Sequence, residues 1–173
     1  ELPEKFAVAV YQPYQNKAFY QPELIRKIAK KLPNIDFYLF GDSTMMGKKD
    51  NLISVGNISD EKKKAVIKKT SMILRLTPHD GLPLSVIEWI TAGRHAATTV
   101  NMKYSKKTKM NVNDAVKKIK EIKDIGVSNL KGSKYYTELC DVEKYKENIY
   151  NIMNIDIKKW WKKMSPIWGK MEN

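Results

Sequence analysis

Apolar residues along this chain fall into short β-branched and aromatic runs that alternate with longer stretches of helical spacing. Residues 5–11 read as a buried strand. Over residues 22–32, Leu24, Ile25, Ile28, Ala29 and Leu32 share one helical face, and Pro22 suits the first turn. Residues 36–40 form a second short strand stopped by Gly41 and Asp42, and residues 52–55 a third stopped by Gly56. Asp60 is placed to cap a helix running to about Thr70, with Ala65, Val66 and Ile67 facing inward. Residues 72–76 are a fourth strand, 84–92 a mostly buried helix and 96–100 a fifth strand. After Val100 the pattern loosens. Val112, Ala115, Val116, Ile119 and Ile122 define one amphipathic helix, residues 126–136 a loop, and Val142, Tyr145, Ile149 and Ile152 a further helix.

Strands separated by helices predict an α/β fold, a parallel sheet with helices on both faces. Such sheets bind ligands beyond the carboxyl ends of their strands. The segments of interest are therefore 12–17, 41–46, 56–59 and 77–84. The expected organisation is one domain over residues 1–154 and a helical tail over 155–173. That tail holds Trp160, Trp161 and Trp168 among Lys158, Lys159, Lys162, Lys163 and Lys170. It suits packing on the domain, crossing to another domain, or contact with a membrane interface. Pro166 and Gly169 interrupt it, which disfavours a long interfacial helix.

Composition narrows the classes. At 173 residues the chain is one domain's length, and 42% hydrophobic content excludes wholesale disorder. No apolar run is long enough to span a bilayer. The lone cysteine, Cys140, excludes an internal disulfide framework and a cysteine-based zinc site, and reads as a small packed residue. The chain starts at Glu1, without a signal peptide pattern or an initiator Met, and is expected to be part of something longer.

The net charge of +13 attracts polyanions, from nucleic acid to anionic lipid and phosphorylated small molecules. It is spread along the chain rather than held in one arm: residues 1–100 carry 15 basic and 10 acidic groups, and residues 101–173 carry 17 and 9. No basic arm and no recognition motif supports nucleic-acid binding. A receiver-like signalling domain needs an acidic cluster after its first strand, and Tyr11-Gln12-Pro13 stands there.

The densest chemistry lies in His79-Asp80-Gly81-Leu82-Pro83-Leu84-Ser85-Val86-Ile87-Glu88. Gly81 and Pro83 shape a tight strand-to-helix turn. The helix starting near Leu84 directs free backbone N–H groups and its positive dipole end toward the strand ends, which favours anions. Glu88 sits in an apolar helix, where a carboxylate is costly unless it accepts hydrogen bonds. A ribose diol supplies two such donors.

The run Asp80 to Gly93 resembles the recurring segment of the C-terminal, donor-binding domain of retaining glycosyltransferases with the GT-B fold. That segment is acid-Gly-x-Pro, then small and apolar residues, then a Glu eight positions after the first acid, and finally a Gly. Phe37 to Gly41 and Asn51 to Ile58, followed by Ser59-Asp60-Glu61, resemble its second strand and the loop beside the nucleotide base, so the likeness covers residues 5–100. It implies a Rossmann-like three-layer α/β/α sandwich, one half of a GT-B enzyme, with a C-terminal helical extension. It implies transfer of a sugar from a nucleotide-sugar, with UDP or GDP as the nucleotide, to a glycan or lipid acceptor with retained anomeric configuration. No metal or other cofactor is implied. The partner implied is an N-terminal acceptor domain or a second chain, and the location is cytoplasmic, with peripheral membrane contact.

Residue by residue, the resemblance assigns Glu88 to the donor ribose and Asp80 to the transferred sugar. Asp80 replaces the more usual Glu, one methylene shorter. Gly81, Leu82, Pro83, Leu84 and Ser85 form the turn near phosphate or sugar oxygens, and Gly56 lies beside the base. An Arg and a Lys, five apart, normally meet the diphosphate after the first strand. Here they are Gln12 and Lys17. Gln12 lacks both the charge and the fork suited to phosphate, so the resemblance asks Arg75, Arg94 or another cation to substitute. His79 reads as a surface loop residue, His95 as structural at a strand start, and Arg94 as a solvated cap after Gly93. The alternative reading is a degenerate, non-catalytic module that binds a nucleotide or sugar, favoured by Gln12 and Asp80.

Overall fold

Successive strand residues point to opposite faces, so a strand buried on both sides is apolar throughout and needs helices on each face. The computed structural model describes residues 1–13, 17–41, 51–141, 143, 144 and 147. They form two compact units, Glu1–Tyr136 and Thr137–Asn173. In chain order the elements are β1 (Ala7–Tyr11), α1 (Lys17–Tyr20), α2 (Pro22–Lys31), β2 (Asp36–Phe40), β3 (Leu52–Gly56) and α3 (Asp60–Lys69). Then follow β4 (Met72–Arg75), α4 (Leu84–Thr91), β5 (His95–Thr98), β6 (Lys106–Lys107), α5 (Val112–Lys123) and α6 (Leu130–Leu139).

The sheet is parallel throughout, in the order β3-β2-β1-β4-β5-β6. Period-two alternation divides it cleanly. Val8, Val10, Phe37, Leu39, Met72 and Leu74 pack with α2 and α5 on one face. Ala9, Phe40, Ile73 and Ala96 pack with α3, α4 and Tyr136 of α6 on the other. This is a three-layer, Rossmann-like α/β/α sandwich.

The first face is closed by a polar residue that the apolar pattern does not reveal. The Asn51 amide is buried at the start of β3 and donates to the carbonyls of Ala29, Leu32 and Ile35 at 3.0, 2.9 and 3.0 Å. It adds a second donor to the Ala29 and Leu32 carbonyls, which already accept from the Leu32 and Ile35 N–H groups, and so ties the end of α2 and the turn after it to the sheet.

Several expectations are corrected. The cap of α3 is Ser59, whose hydroxyl accepts from the Lys62 N–H at 3.4 Å, and Asp60 is the first helical residue. In that helix Val66 is buried, but Ala65 is exposed. A sixth strand, β6, adds to the five expected. Arg94 is buried rather than solvated: Nε donates to the Ile67 carbonyl at 3.0 Å and Nη1 to the Glu1 carbonyl, and burial lowers its pKa. Cys140 is exposed rather than packed. His95 opens β5, as expected, with Nε2 hydrogen-bonded to the Val127 carbonyl at 2.8 Å.

The stretch expected to be a loop contains most of α6. Asn129 Oδ1 accepts from the Gly132 N–H at 3.2 Å, a side-chain cap, and Ser133 Oγ donates to the Thr91 carbonyl at the end of α4 at 2.6 Å. Gly132 serves close approach: a Cβ there would lie 2.7 Å from Ile90 Cγ2 and 2.7 Å from Asn129 Oδ1. Gly132→Ala is therefore expected to cost about 1–3 kcal/mol by overpacking. A lowered urea midpoint at unchanged slope is the expected reading. An equally stable variant would mean that α6 does not press on α4 in this way.

In the second unit Asp141 Oδ1 accepts from the N–H groups of Glu143 and Lys144 at 3.1 and 3.2 Å. The expected helix at Val142, Tyr145, Ile149 and Ile152 and the Trp/Lys tail lie outside the described residues.

Candidate functional site

Strand order reverses between β1 and β4, the switch point where sheets of this kind open a crevice at their carboxyl ends. A cavity of about 400 Å³ lies there. Tyr11 from β1, with Phe40 and Gly41 at the end of β2, form one wall. Asn57 and Ile58 after β3 and Lys63 of α3 form a second. Arg75 of β4, Asp80, Leu82 and Pro83 of the turn, and Leu84, Ser85 and Glu88 of α4 complete it.

Gly41 allows the first wall to close. Its φ is +90°, and a Cβ would lie 3.0 Å from the Tyr11 ring and 3.1 Å from the Gln12 backbone. Only glycine takes this conformation without strain, so β1 and β2 end side by side at the cavity rim.

Asp80 does not stand free. Arg75 Nε and Nη2 both donate to Asp80 Oδ2, at 2.9 and 2.8 Å. Both side chains are largely buried, at 10% and 14% exposure, so each charge depends on the other. The rings of Tyr11 and Tyr20 lie 5.4 and 5.1 Å from the guanidinium carbon and restrict it further.

Glu88 lies one helical turn inside α4 and accepts from Lys63 Nζ at 2.7 Å. Lys63 also reaches Asp60 Oδ1 at 3.2 Å. The Glu88 hydrogen bond holds the Lys63 ammonium above its usual pKa, against opposing burial, and Asp60 adds to the rise. A raised lysine pKa keeps Lys63 charged through the neutral range, and its contribution is lost on the alkaline side as pH rises past 10.5.

Ser85, between Asp80 and Glu88 in sequence, lines the same cavity. Its Oγ is buried and has no hydrogen-bond partner among the described residues. An orphaned buried hydroxyl costs about 1–3 kcal/mol. The first intrahelical bonds of α4 run from the N–H groups of Val86 and Ile87 to the Pro83 carbonyl, at 2.9 and 3.3 Å. The N–H groups of Leu84 and Ser85 precede them, at the positive end of the helix. Leu82 and Leu84 stand 61% and 66% exposed at the same rim.

The structure thus brings Asp80, Leu82, Pro83, Leu84, Ser85 and Glu88 to one cavity. Gly56 ends β3 just before the lining residues Asn57 and Ile58, and Gly81 lies in the turn; neither lines the cavity itself. The buried Gln12 side chain donates to the Tyr20 carbonyl at 2.7 Å and also stays out of the lining. Lys17 opens α1, and its side chain is outside the described residues. Arg94 lies at the opposite end of α4 from the cavity, whereas Arg75 lines it. Exposed His79 packs edge-on against Phe19, with ring centroids 5.1 Å apart. Tyr11, Phe40 and Lys63 are lining residues that sequence reasoning did not assign to the site. Lys63 is one of three consecutive lysines, and Tyr11 reads only as part of a strand.

Among the described residues no three His, Cys, Asp or Glu side chains gather as metal ligands would. No helix among them is long and apolar enough to cross a membrane.

No family model and no curated protein sequence matches the chain. Solved structures do. Anabaena HepE, in complex with UDP and glucose, superposes with a TM-score of 0.68 at 13% identity, over 87% of this chain and 48% of that one. TarM from S. aureus superposes with a TM-score of 0.65 at 16% identity, over 89% and 37%. The C-terminal domain of LpcC, a glycosyl transferase group 1 family protein of Francisella tularensis, superposes with a TM-score of 0.57 at 11% identity, over 80% and 87%. The chain therefore spans less than half the length of HepE and of TarM. The fold is that of one half of a GT-B glycosyltransferase.

Proposed function

We propose that this chain, folded as one half of a GT-B enzyme, is the donor-binding part of a glycosyltransferase that takes a nucleoside-diphosphate sugar. The single observation that carries this reading is the orphaned Ser85 hydroxyl at the start of α4, in one cavity with the Asp80 and Glu88 carboxylates. A donor molecule would supply the missing partner. HepE, in complex with UDP and glucose, supports a nucleotide-sugar as the ligand class.

In this reading Glu88 accepts from the ribose hydroxyls, and Asp80 faces the transferred sugar. The Gly81 to Ser85 turn offers N–H and O–H donors to phosphate and sugar oxygens. As the bond from the anomeric carbon to the phosphate oxygen breaks, negative charge builds on the diphosphate. The helix N-terminus and nearby cations stabilise that charge without reorganising. The sugar passes to a glycan or lipid acceptor with retention, and the reading calls for no cofactor beyond the donor. The acceptor site belongs to a second domain or chain, so this half alone is inactive. The setting is the cytoplasm, with peripheral membrane contact.

The second reading, a non-catalytic nucleotide- or sugar-binding module, is favoured by Gln12. Its side chain is spent on the Tyr20 carbonyl instead of the cavity. Restoring the partner half and assaying transfer separates the two.

Calorimetric titration with UDP, GDP, ADP and CMP tests the site itself. One nucleotide is expected to bind about tenfold or more tighter than the others, a difference of about 1.4 kcal/mol. Equal, weak, salt-sensitive binding of all four is what an unselective polycation gives, and it would overturn the proposal.

A further inference from the structure

Two positions depart from the GT-B pattern, Gln12 in place of an arginine and Asp80 in place of a glutamate, and the second of them pairs with Arg75. Arg75 ends β4 at the cavity and is the arginine among its lining residues. It donates through Nε and Nη2 to a single carboxylate oxygen, Asp80 Oδ2. That contact uses one edge of the guanidinium fork. The other edge, made by Nη1 and the second hydrogen of Nη2, remains. Nη1 has no hydrogen-bond partner among the described residues, and it is not among the buried orphaned atoms. The rings of Tyr11 and Tyr20 lie together against the guanidinium and, with the two bonds to Asp80, restrict it before any ligand arrives. A fixed, planar edge with parallel N–H groups matches two phosphate oxygens.

We propose that Arg75, held side-on by Asp80, is the diphosphate-binding cation of this site and takes the place of the cation missing at position 12. The shorter Asp80 is part of the same device. Its carboxylate fixes Arg75 through one oxygen and leaves Oδ1 for a sugar hydroxyl. The role of Asp80 toward the sugar rests on the donor-binding reading above. The phosphate role of Arg75 rests on the geometry of the pair.

The test uses the full chain and titrates inorganic pyrophosphate, the four nucleosides and their diphosphates against wild type, Arg75→Lys and Arg75→Gln. Pyrophosphate affinity is expected to fall about tenfold or more in Arg75→Gln, as for loss of a charge-assisted hydrogen bond. It should also fall, by less, in Arg75→Lys, which keeps the charge but loses the fork. Nucleoside affinity should not change. The double variant Arg75→Gln/Asp80→Asn removes both buried charges and guards against misfolding of the single variant. Circular dichroism checks each fold.

Wild type that does not bind pyrophosphate overturns the inference. So does a folded Arg75→Gln, or the double variant, that binds it as wild type does. Unchanged binding in Arg75→Lys alongside loss in Arg75→Gln would mean bulk charge rather than a directed edge, and also overturns it. Arg75-dependent pyrophosphate binding without nucleotide selectivity would keep this inference and defeat the donor-binding reading. Selective nucleotide binding indifferent to Arg75 would do the reverse.

Discussion

Glu88→Ala is expected to weaken binding of the preferred nucleoside diphosphate by about ten- to a hundredfold, while leaving pyrophosphate binding in place. A hydrogen bond to a charged group is worth about 1.5–3 kcal/mol net, and two ribose hydroxyls would meet this carboxylate. The effect stays below the sum of two such bonds because Glu88 is already paired with Lys63 at 2.7 Å, and that contact is exchanged or shared on binding. The fold should survive. Glu88 is partly exposed, and Lys63 keeps Asp60 as a partner at 3.2 Å. Calorimetry on the nucleoside diphosphate and on pyrophosphate reads both arms. Equal losses for the two ligands would place Glu88 at the phosphates, and no loss would remove it from the site.

The largest effect on stability is expected at Trp89. It is fully buried in α4, stacks on Phe40 with ring centroids 5.1 Å apart, and donates from Nε1 to Thr70 Oγ1 at 2.9 Å. Thr70 in turn donates to the Val66 carbonyl at 2.9 Å. One indole therefore joins α4 to the end of β2 and to the end of α3. Trp89→Ala should cost about 3–5 kcal/mol, a large share of a typical domain's 5–15 kcal/mol. Trp89→Phe keeps the stacking, loses the hydrogen bond, and should cost about 1 kcal/mol. Urea unfolding followed by circular dichroism measures both. Equal costs would mean that the hydrogen bond, and not the packed ring, is what matters there.

Legibility in the sequence tracked how local each decision was. Strands β1 to β5 lie within a residue or two of their expected places because strands buried on both faces are continuous apolar runs. Helices α2 and α5 followed from their apolar spacing, with Pro22 marking the start of α2, and α4 from its apolar run. α6 did not, because Gly126, Ser128, Asn129 and Gly132 carry turn propensity. Packing uses Asn129 as a cap and Gly132 as a contact point against Ile90. Propensity is a weak prior, and tertiary contact overrode it. β6 escaped because its two exposed lysines carry no apolar signal.

The candidate site divides in the same way. The acids, the Gly-Pro turn and the apolar helix behind them lie within a few residues of one another. A strand-turn-helix therefore brings Asp80, Ser85 and Glu88 together by chain geometry alone. Which cation meets which acid is not local. Lys63 reaches Glu88 across 25 positions, and nothing distinguishes it from Lys62 and Lys64 until the rotation of α3 is set by Val66 packing inward. Arg75 is only five positions from Asp80, yet its side chain lines the cavity because β4 lies next to β1, whose Tyr11 packs with Tyr20 against the guanidinium. By itself the sequence determined the order of the elements, their buried faces and the chemistry of the turn, because periodicity and turn geometry act over a few residues. The tertiary structure alone decided the partners of each charge, because pairing between elements depends on strand order and helix rotation, which the whole core sets at once.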